Sequence, residues 1–269
     1  MPAPTSLPLV KVHALGNDFL LTPSEPGRGA DHRAHIARLA CDRHRGIGAD
    51  GLMYVEDTAA GADTFLFNAD GGEAEVSGNG VRCAAAWLAD ARALPIGSSL
   101  VIGSRAGPKS LELLAVEGRR YTFRADMGPP ADVRRESLEI LGQQVELVVL
   151  RVGNPQCVVL GPATEERLHG LAAALSTHPF FPDGTNVELA TIESPGRVRI
   201  LIWERGVGPT EASGTGACAA AVAAIVAAGA SHRIDVVSPG GTQHVAWEAD
   251  TLFLTGWAEI VGVAELWMD

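Results

Sequence analysis

Most apolar residues of this chain fall in short runs bounded by glycine, proline or polar turns, a pattern that predicts strands over most of its length. The strands predicted in the first half are 9–13, 19–22, 52–56, 64–68, 100–102, 110–116 and 121–126. Those predicted in the second half are 145–152, 157–160, 187–192, 198–203, 235–238, 244–248 and 251–260. Helices are predicted at 32–41, 81–91, 165–175 and 217–228. The pattern therefore predicts an α+β protein in which strands wrap around small-residue helices.

One short motif occurs twice, about half of the chain length apart. Its two copies are Ser77-Gly78-Asn79-Gly80 and Ser213-Gly214-Thr215-Gly216. Each copy runs into an alanine-rich helix with a cysteine near its start, Cys83 or Cys218. A small-residue loop that opens a helix leaves backbone N–H groups at the positive end of the helix dipole, where an anion can bind. One copy alone is better explained by an ordinary serine N-cap. Two copies in matching context favour a duplicated fold that holds one anionic ligand from both sides.

The duplication predicts two similar halves, 1–127 and 128–269, with the boundary near 127–135. The turn Gly128-Pro129-Pro130 lies at this boundary, and the strand pattern repeats in outline after it. Because chain ends commonly lie near each other, we expect the C-terminal end to pack back on the first half.

Composition narrows the classes of function. The formal net charge of −11 argues against binding to nucleic acid or to an anionic membrane. The four cysteines form no C-x-x-C pair, so we expect no zinc or other metal site and no disulfide framework. The first residues have no apolar secretory core, and the run Ala217–Ala230 is too short to span a membrane. These features predict a cytoplasmic protein.

Several segments, in order along almost the whole chain, resemble the diaminopimelate epimerase family of cofactor-independent amino-acid epimerases. The matching blocks are 11–19, 43–51, 68–80, 153–155, 184–188 and 204–216. The resemblance implies two pseudo-symmetric halves, each a barrel of strands around a central helix, with the active site in the cleft between them. It also implies a homodimer and a small amino-acid substrate. The reaction would interconvert LL- and meso-diaminopimelate in lysine biosynthesis, with no cofactor.

The resemblance assigns roles to individual positions. In the family a cysteine opens each duplicated loop and a histidine follows Asn-Pro, whereas this chain has Ser77, Ser213 and Gln156 at those places. Glu204 matches the family's glutamate beside the second loop. The positions matching substrate contacts are Asn17, Asn68, Gly78, Asn79, Asn154, Asn186, Arg205, Gly214 and Thr215. Amides and an arginine suit the polar ends of an amino acid, because they pair with ammonium and carboxylate groups.

The two serines change the expected chemistry. The pKa of a thiol is about 8.5, and a helix N-terminus readily lowers it. An aliphatic hydroxyl is a far weaker acid and needs a strong base beside it to take part in proton transfer. Gln156 cannot serve as that base, since an amide accepts no proton at physiological pH. Cys83 and Cys218 lie beyond the loops and are predicted to be buried core residues. We therefore expect the usual two-base epimerisation to be impaired.

Two other functions remain compatible with the sequence. One is a binding protein that holds an amino acid without turnover, and the other is an isomerase or dehydratase with changed chemistry, for instance through Glu204. The serines themselves have two explanations: replacements introduced into a cysteine enzyme, or the natural residues of a diverged relative. Gln156 favours the second explanation, because replacing cysteine by serine would not require it.

Overall fold

The computed structural model describes residues 5–24, 29–74, 78–105 and 107–268. The chain forms two compact units. The first comprises Met1–Arg124 and Trp257–Asp269, and the second comprises Ala125–Gly256. Two strands, β8 (Arg120–Gly128) and β17 (Thr251–Met268), continue from one unit into the other along the chain.

The first unit alternates strands with two helices. Its other strands are β1 (Thr5–Ala14), β2 (Asn17–Pro23), β3 (Gly51–Thr58), β4 (Gly61–Asn68), β5 (Glu73–Ala74), β6 (Ser99–Gly103) and β7 (Lys109–Glu117). Its helices are α1 (Ala30–Cys41) and α2 (Gly78–Ala91).

The second unit has the same alternation. Its other strands are β9 (Ala131–Ile140), β10 (Gln143–Val152), β11 (Asn154–Leu160), β12 (Asn186–Ser194), β13 (Arg197–Glu204), β14 (Gly208–Thr210), β15 (Arg233–Ser238) and β16 (Gly241–Glu248). Its helical elements are α3 (Glu165–Arg167), a π-helical turn (Leu168–Ala172), α4 (Ala173–Ser176) and α5 (Gly214–Ala228).

The strands of the two units pair in the same order. In the first unit β1–β2, β3–β4 and β6–β7 are antiparallel, while β2–β3 and β4–β6 are parallel. In the second unit β10–β11, β12–β13 and β15–β16 are antiparallel, while β11–β12 and β13–β15 are parallel. The short strands β5 and β14 pair with β4 and β13 respectively. The two halves of the chain therefore share one topology.

The first unit closes into a barrel. Strand β17 pairs with β1 and with β8, and the N–H of Ile260 donates to the carbonyl of Arg119 at 3.0 Å. In the described part of the chain, eight strands complete this ring.

Each unit has one deeply buried helix. Helix α2 packs against β1, β2, β4, β6 and β7, and α5 packs against β10–β13, β15 and β16. Alanine dominates both helices, so strands can approach their backbones closely, and Ala217–Ala224 of α5 are all buried. Helix α5 ends at Gly229, whose φ of 67° is the left-handed conformation that glycine adopts easily. Among the described residues, no helix combines the length and the apolar character needed to cross a lipid bilayer.

The predicted α+β class and its two similar halves are confirmed, and several local predictions need correction. Helices α2 and α5 begin three residues earlier than predicted, at the glycine after each loop serine. Strand β9 was missed, because its exposed side chains, including Arg134 and Arg135, give no apolar alternation. Strand β17 extends to Met268, where antiparallel pairing with β1 supports it.

Candidate active site

Ser213 caps the buried helix of the second unit. Its backbone is extended, with φ −137° and ψ 128°, and its Oγ accepts a hydrogen bond from the N–H of Gly216 at 3.1 Å. The side chain is only slightly exposed, at 6%. Because the first turn of a helix carries partial positive charge, negative charge that develops near Ser213 is stabilised there. Gly214 and Thr215 form this same first turn.

Gln156 is connected to Ser213 through Thr215. The fully buried Gln156 donates from Nε2 to Asn154 Oδ1 at 2.6 Å and to Thr215 Oγ1 at 3.0 Å. Thr215 Oγ1 lies 3.4 Å from Ser213 Oγ. Since Thr215 accepts from the amide, it can donate its own proton to Ser213. The described structure thus brings together Asn154, Gln156, Thr215 and Ser213, four of the predicted site residues.

Asn186 and Arg205 also lie together in the second unit. The N–H of Arg205 donates to Asn186 Oδ1 at 2.9 Å, and Arg205 Nη1 donates to the carbonyl of Asp183 at 2.9 Å. Gly184 (φ +70°) lies under the arginine, where an added Cβ would be 3.0 Å from Arg205 Cδ. A side chain at position 184 would therefore be strained by the positive φ and would press on the arginine.

Glu204 ends β13, and a second glutamate that was given no role by sequence reasoning lies on the neighbouring strand. This residue, Glu188 on β12, is completely buried. Burial, and then the negative charge of Glu204, raise the pKa of Glu188 well above its usual range. Glu188 is part of the family block 184–188, and this could have drawn attention to it. The alternation of apolar and polar residues could not, because it predicts an apolar residue at a buried strand position.

The corresponding loop of the first unit is described from Gly78 onward, so the predicted position of Ser77 lies outside the described residues. Asn79 is buried in the first turn of α2. Its Nδ2 donates to Asn17 Oδ1 at 3.4 Å, and its Oδ1 accepts from Arg82 Nη2 at 2.5 Å. The fully buried Arg82 is a residue whose role sequence reasoning missed.

A charged cluster holds Asn17 from the other side. Asn17 Nδ2 donates to Asp50 Oδ2 at 2.8 Å, and Arg43 contacts both Asp50, at 2.8 Å, and Asp18, at 2.7 Å. Lys11 Nζ lies 2.9 Å from Asp18. Burial alone would raise the pKa of Asp18, but hydrogen bonds from Arg43 and Lys11 outweigh it and hold the pKa below its usual value.

Asn68 ends β4 with an exposed side chain. Its N–H donates to the carbonyl of Gly72 and its carbonyl accepts from Gly71, both at 2.8 Å. Asn68 therefore opens the loop that leads toward α2.

Cys83 and Cys218 are buried free thiols, and so are Cys41 and Cys157. Burial raises the pKa of Cys83, so the group stays a neutral thiol that accepts no proton near neutral pH. Within the described ranges, no group of three or more histidine, cysteine or acidic residues could hold a metal ion.

The predicted positions occupy equivalent places in the two units. Asn17 begins β2 and Asn154 begins β11, while Asn68 ends β4 and Glu204 ends β13. Such strand ends, together with a helix N-terminus, can bind and orient an amino-acid carboxylate.

Comparison with known proteins extends over nearly the whole chain. The profile of the family described as diaminopimelate epimerase matches residues 9–133 and 148–261. The chain is 38% identical to the diaminopimelate epimerase of Desulforudis audaxviator, covering 93% of this chain and 96% of that protein. It is 35% identical to the diaminopimelate epimerase of Pelotomaculum thermopropionicum, covering 93% and 95%.

Solved structures share the fold at low sequence identity. A hydroxyproline epimerase from Agrobacterium vitis, with bound trans-4-hydroxy-L-proline, superposes with a TM-score of 0.76 at 16% identity, covering 100% of this chain and 94% of that one. A probable proline racemase from Agrobacterium radiobacter K84 gives 0.75 at 15%, covering 98% and 93%.

Proposed function

Because this chain belongs to the diaminopimelate epimerase family of PLP-independent amino-acid epimerases, we propose that it moves the α-proton of a small amino acid and interconverts LL- and meso-diaminopimelate in lysine biosynthesis. The observation that carries the proposal is the family match through both halves, which includes both helix-opening loops, 77–80 and 213–216.

The proposed role of the helix N-termini is to stabilise the substrate carboxylate as it takes on enediolate character. Removing an α-proton without a cofactor leaves the carboxylate as the sink for the electron pair, and oriented N–H groups stabilise charge that develops there. Gly214 and Thr215, in the first turn of α5, and Gly78 and Asn79, in the first turn of α2, would supply this charge stabilisation.

The far end of the amino acid would be held by amides and a guanidinium. The backbone N–H of Arg205 orients the Asn186 amide through a hydrogen bond of 2.9 Å, and the carbonyl of Asp183 accepts from Arg205 Nη1 at 2.9 Å. Arg205 can bind a carboxylate with two parallel bonds. Asn17, Asn68 and Asn154 complete the proposed set of amides.

Ser213 and Ser77 would stand at the two proton-transfer positions, with Glu204 and Gln156 behind them. Ser213 Oγ accepts from Gly216 and lies within reach of Thr215, so negative charge on this oxygen would be stabilised by two donors. The hydroxyl is nevertheless a weak acid, and we expect slow turnover compared with a thiol at the same place.

Two further parts of the proposal come from the resemblance. We propose a cytoplasmic location and assembly as a homodimer. Sedimentation of the purified protein checks the second point, and a monomer at working concentration would contradict it.

The test is incubation with LL-diaminopimelate in D₂O, followed by proton NMR of the α-position. We expect slow loss of the α-H signal and appearance of the meso epimer. Ser213→Ala is the matched control and should abolish the exchange. Absence of exchange with either epimer, in protein whose circular dichroism shows an intact fold, would contradict the proposal.

A further inference from the structure

The structure of the second unit places a carboxyl group where the equivalent position of the first unit has a methionine. In the parallel ladders Phe19 pairs with Gly51, and Gln156 pairs with Asn186. Two residues further along the second strand of each ladder are Met53 and Glu188. Both side chains are completely buried. The fold therefore accepts an apolar side chain at this position, and the carboxyl group needs another explanation.

The Glu188 carboxyl lies against the first turn of α5, beside Ser213. A Cβ added to Gly216 would be 2.6 Å from Glu188 Oε1 and 3.1 Å from Ser213 Cβ. The carboxyl oxygen and the serine Cβ thus border the space that a side chain at position 216 would occupy, next to the N–H that donates to Ser213 Oγ. A residue other than glycine at 216 would displace one of them.

The titratable groups around Glu188 are few in the described part of the chain. Glu204, from β13, raises the pKa of Glu188, and Cys157, from β11, has its own thiol pKa raised by burial and then by Glu188. Cys218 is the titratable side chain of α5 itself. None of these groups brings a positive charge that would keep Glu188 ionised.

We propose that Glu188 is a positioning residue for Ser213, whose carboxyl holds the proton that the Ser213 hydroxyl exchanges with the substrate. This inference rests on the proposed function. When Ser213 delivers its proton to the α-carbon, the Ser213 O–H bond breaks as the new carbon–hydrogen bond forms. The protonated Glu188 carboxyl then gives its own proton to the Ser213 oxygen and becomes a carboxylate. When Ser213 takes the α-proton, the carbon–hydrogen bond breaks, its electron pair stays on the substrate, and each proton moves in the opposite direction.

A carboxyl in this setting supplies what Gln156 lacks. The amide of Gln156 orients Thr215 but accepts no proton, whereas a carboxyl group can both hold and release one, and burial raises the pKa of Glu188 so that it keeps its proton at a pH where an exposed carboxyl has lost it. Efficient proton transfer needs a partner whose pKa lies near the working pH.

The first experiment measures the coupling without any substrate. Ser213→Cys places a chromophore at the position, because a thiolate absorbs in the ultraviolet and a thiol does not, and subtracting the wild-type titration removes the four native cysteines. Two groups coupled by about one pK unit or more titrate in two steps. We therefore expect two steps in Ser213→Cys and one step in Ser213→Cys/Glu188→Gln.

The matched control is Glu193→Gln in the Ser213→Cys background. Glu193 lies on the same strand, where it is exposed and paired with Arg197 and Arg199. This variant should keep the two-step titration. Identical titrations with and without the Glu188 carboxyl would overturn the inference.

The second experiment uses α-proton exchange in the wild-type background. We expect Glu188→Gln to lower kcat by about 100-fold or more, with KM within about threefold, because a proton-transfer partner contributes about 10²–10⁴-fold. Glu188→Met, which copies Met53, should fold and show the same loss. If the wild type exchanges no α-proton, the proposed function fails, and the thiolate titration still decides whether Glu188 and residue 213 are coupled. Unchanged kcat in both variants would overturn the inference.

Discussion

At the scale of single residues, small chemical differences decide what this site can do. Gln156 is hydrogen-bonded to Asn154 and Thr215 and is completely buried, so it is a structural part of the site rather than a solvent-facing substitute. Its amide can orient a hydroxyl but cannot remove a proton. In the proposed function, proton transfer in the second unit therefore depends on Ser213 and the glutamates near it.

Replacing the two loop serines by cysteine tests whether the serines limit proton transfer. We expect Ser77→Cys/Ser213→Cys/Gln156→His to raise the rate of α-proton exchange by about 100-fold or more, because a base with a pKa near the working pH contributes about 10²–10⁴-fold. Exchange of diaminopimelate in D₂O, followed by NMR, measures the gain. Gln144→His, at an exposed position of β10, is the control for adding a histidine alone. A rate equal to that of the wild type would show that the site has diverged beyond the three positions.

At the scale of elements, the two buried helices depend on small side chains. Among the described residues, helix α5 packs against six strands of its unit, and its alanines from 217 to 224 are inaccessible to solvent. The glycine that begins each helix also brings the backbone N–H groups to the loop. A single-sequence pattern predicts the helices but places their starts too late, because glycine is a poor helix former by propensity.

A larger side chain on the buried face of α5 should destabilise the protein. Ala221 is completely buried, and Ala221→Leu should lower the free energy of unfolding by about 1–3 kcal/mol, because extra methylenes in a close-packed core force side chains and backbone to shift. Urea denaturation measures the loss. Ala228→Leu, at the exposed end of the same helix, should change stability by less than about 0.5 kcal/mol. Equal effects of the two variants would contradict the packing described for this helix.

At the scale of the whole molecule, pH affects the free energy of unfolding through two buried carboxyl groups whose pKa values are shifted in opposite directions. The folded-state pKa of Asp18 is below its usual value, whereas that of Glu188 is above it. A lowered folded pKa contributes stability that is present above the unfolded pKa and is lost as pH falls through the folded pKa. A raised folded pKa contributes stability that is present below the unfolded pKa and is lost as pH rises through the folded pKa.

Asp18→Asn tests the first of these contributions. Near neutral pH we expect it to lower the free energy of unfolding by about 1.5–3 kcal/mol, because it removes charged hydrogen bonds from Arg43 and Lys11. The difference from the wild type should shrink as pH falls below the ordinary aspartate value of 3.8. Chemical denaturation at a series of pH values measures it, with Asp63→Asn at an exposed position as the control. A difference that is constant with pH would show that charge is not its source.

The sequence by itself determined the α+β class, the duplication and the family, because apolar periodicity, the repeated serine–glycine loop and ordered blocks such as 43–51 and 204–216 are local features of the chain. It did not determine strand β9, whose exposed side chains carry no apolar signal and whose pairing with β10 depends on a neighbour in space. Nor did it give roles to Arg82, Asp18 or Glu188. A buried charge is stabilised or perturbed by groups that are distant in sequence, and only the tertiary structure decides which groups these are.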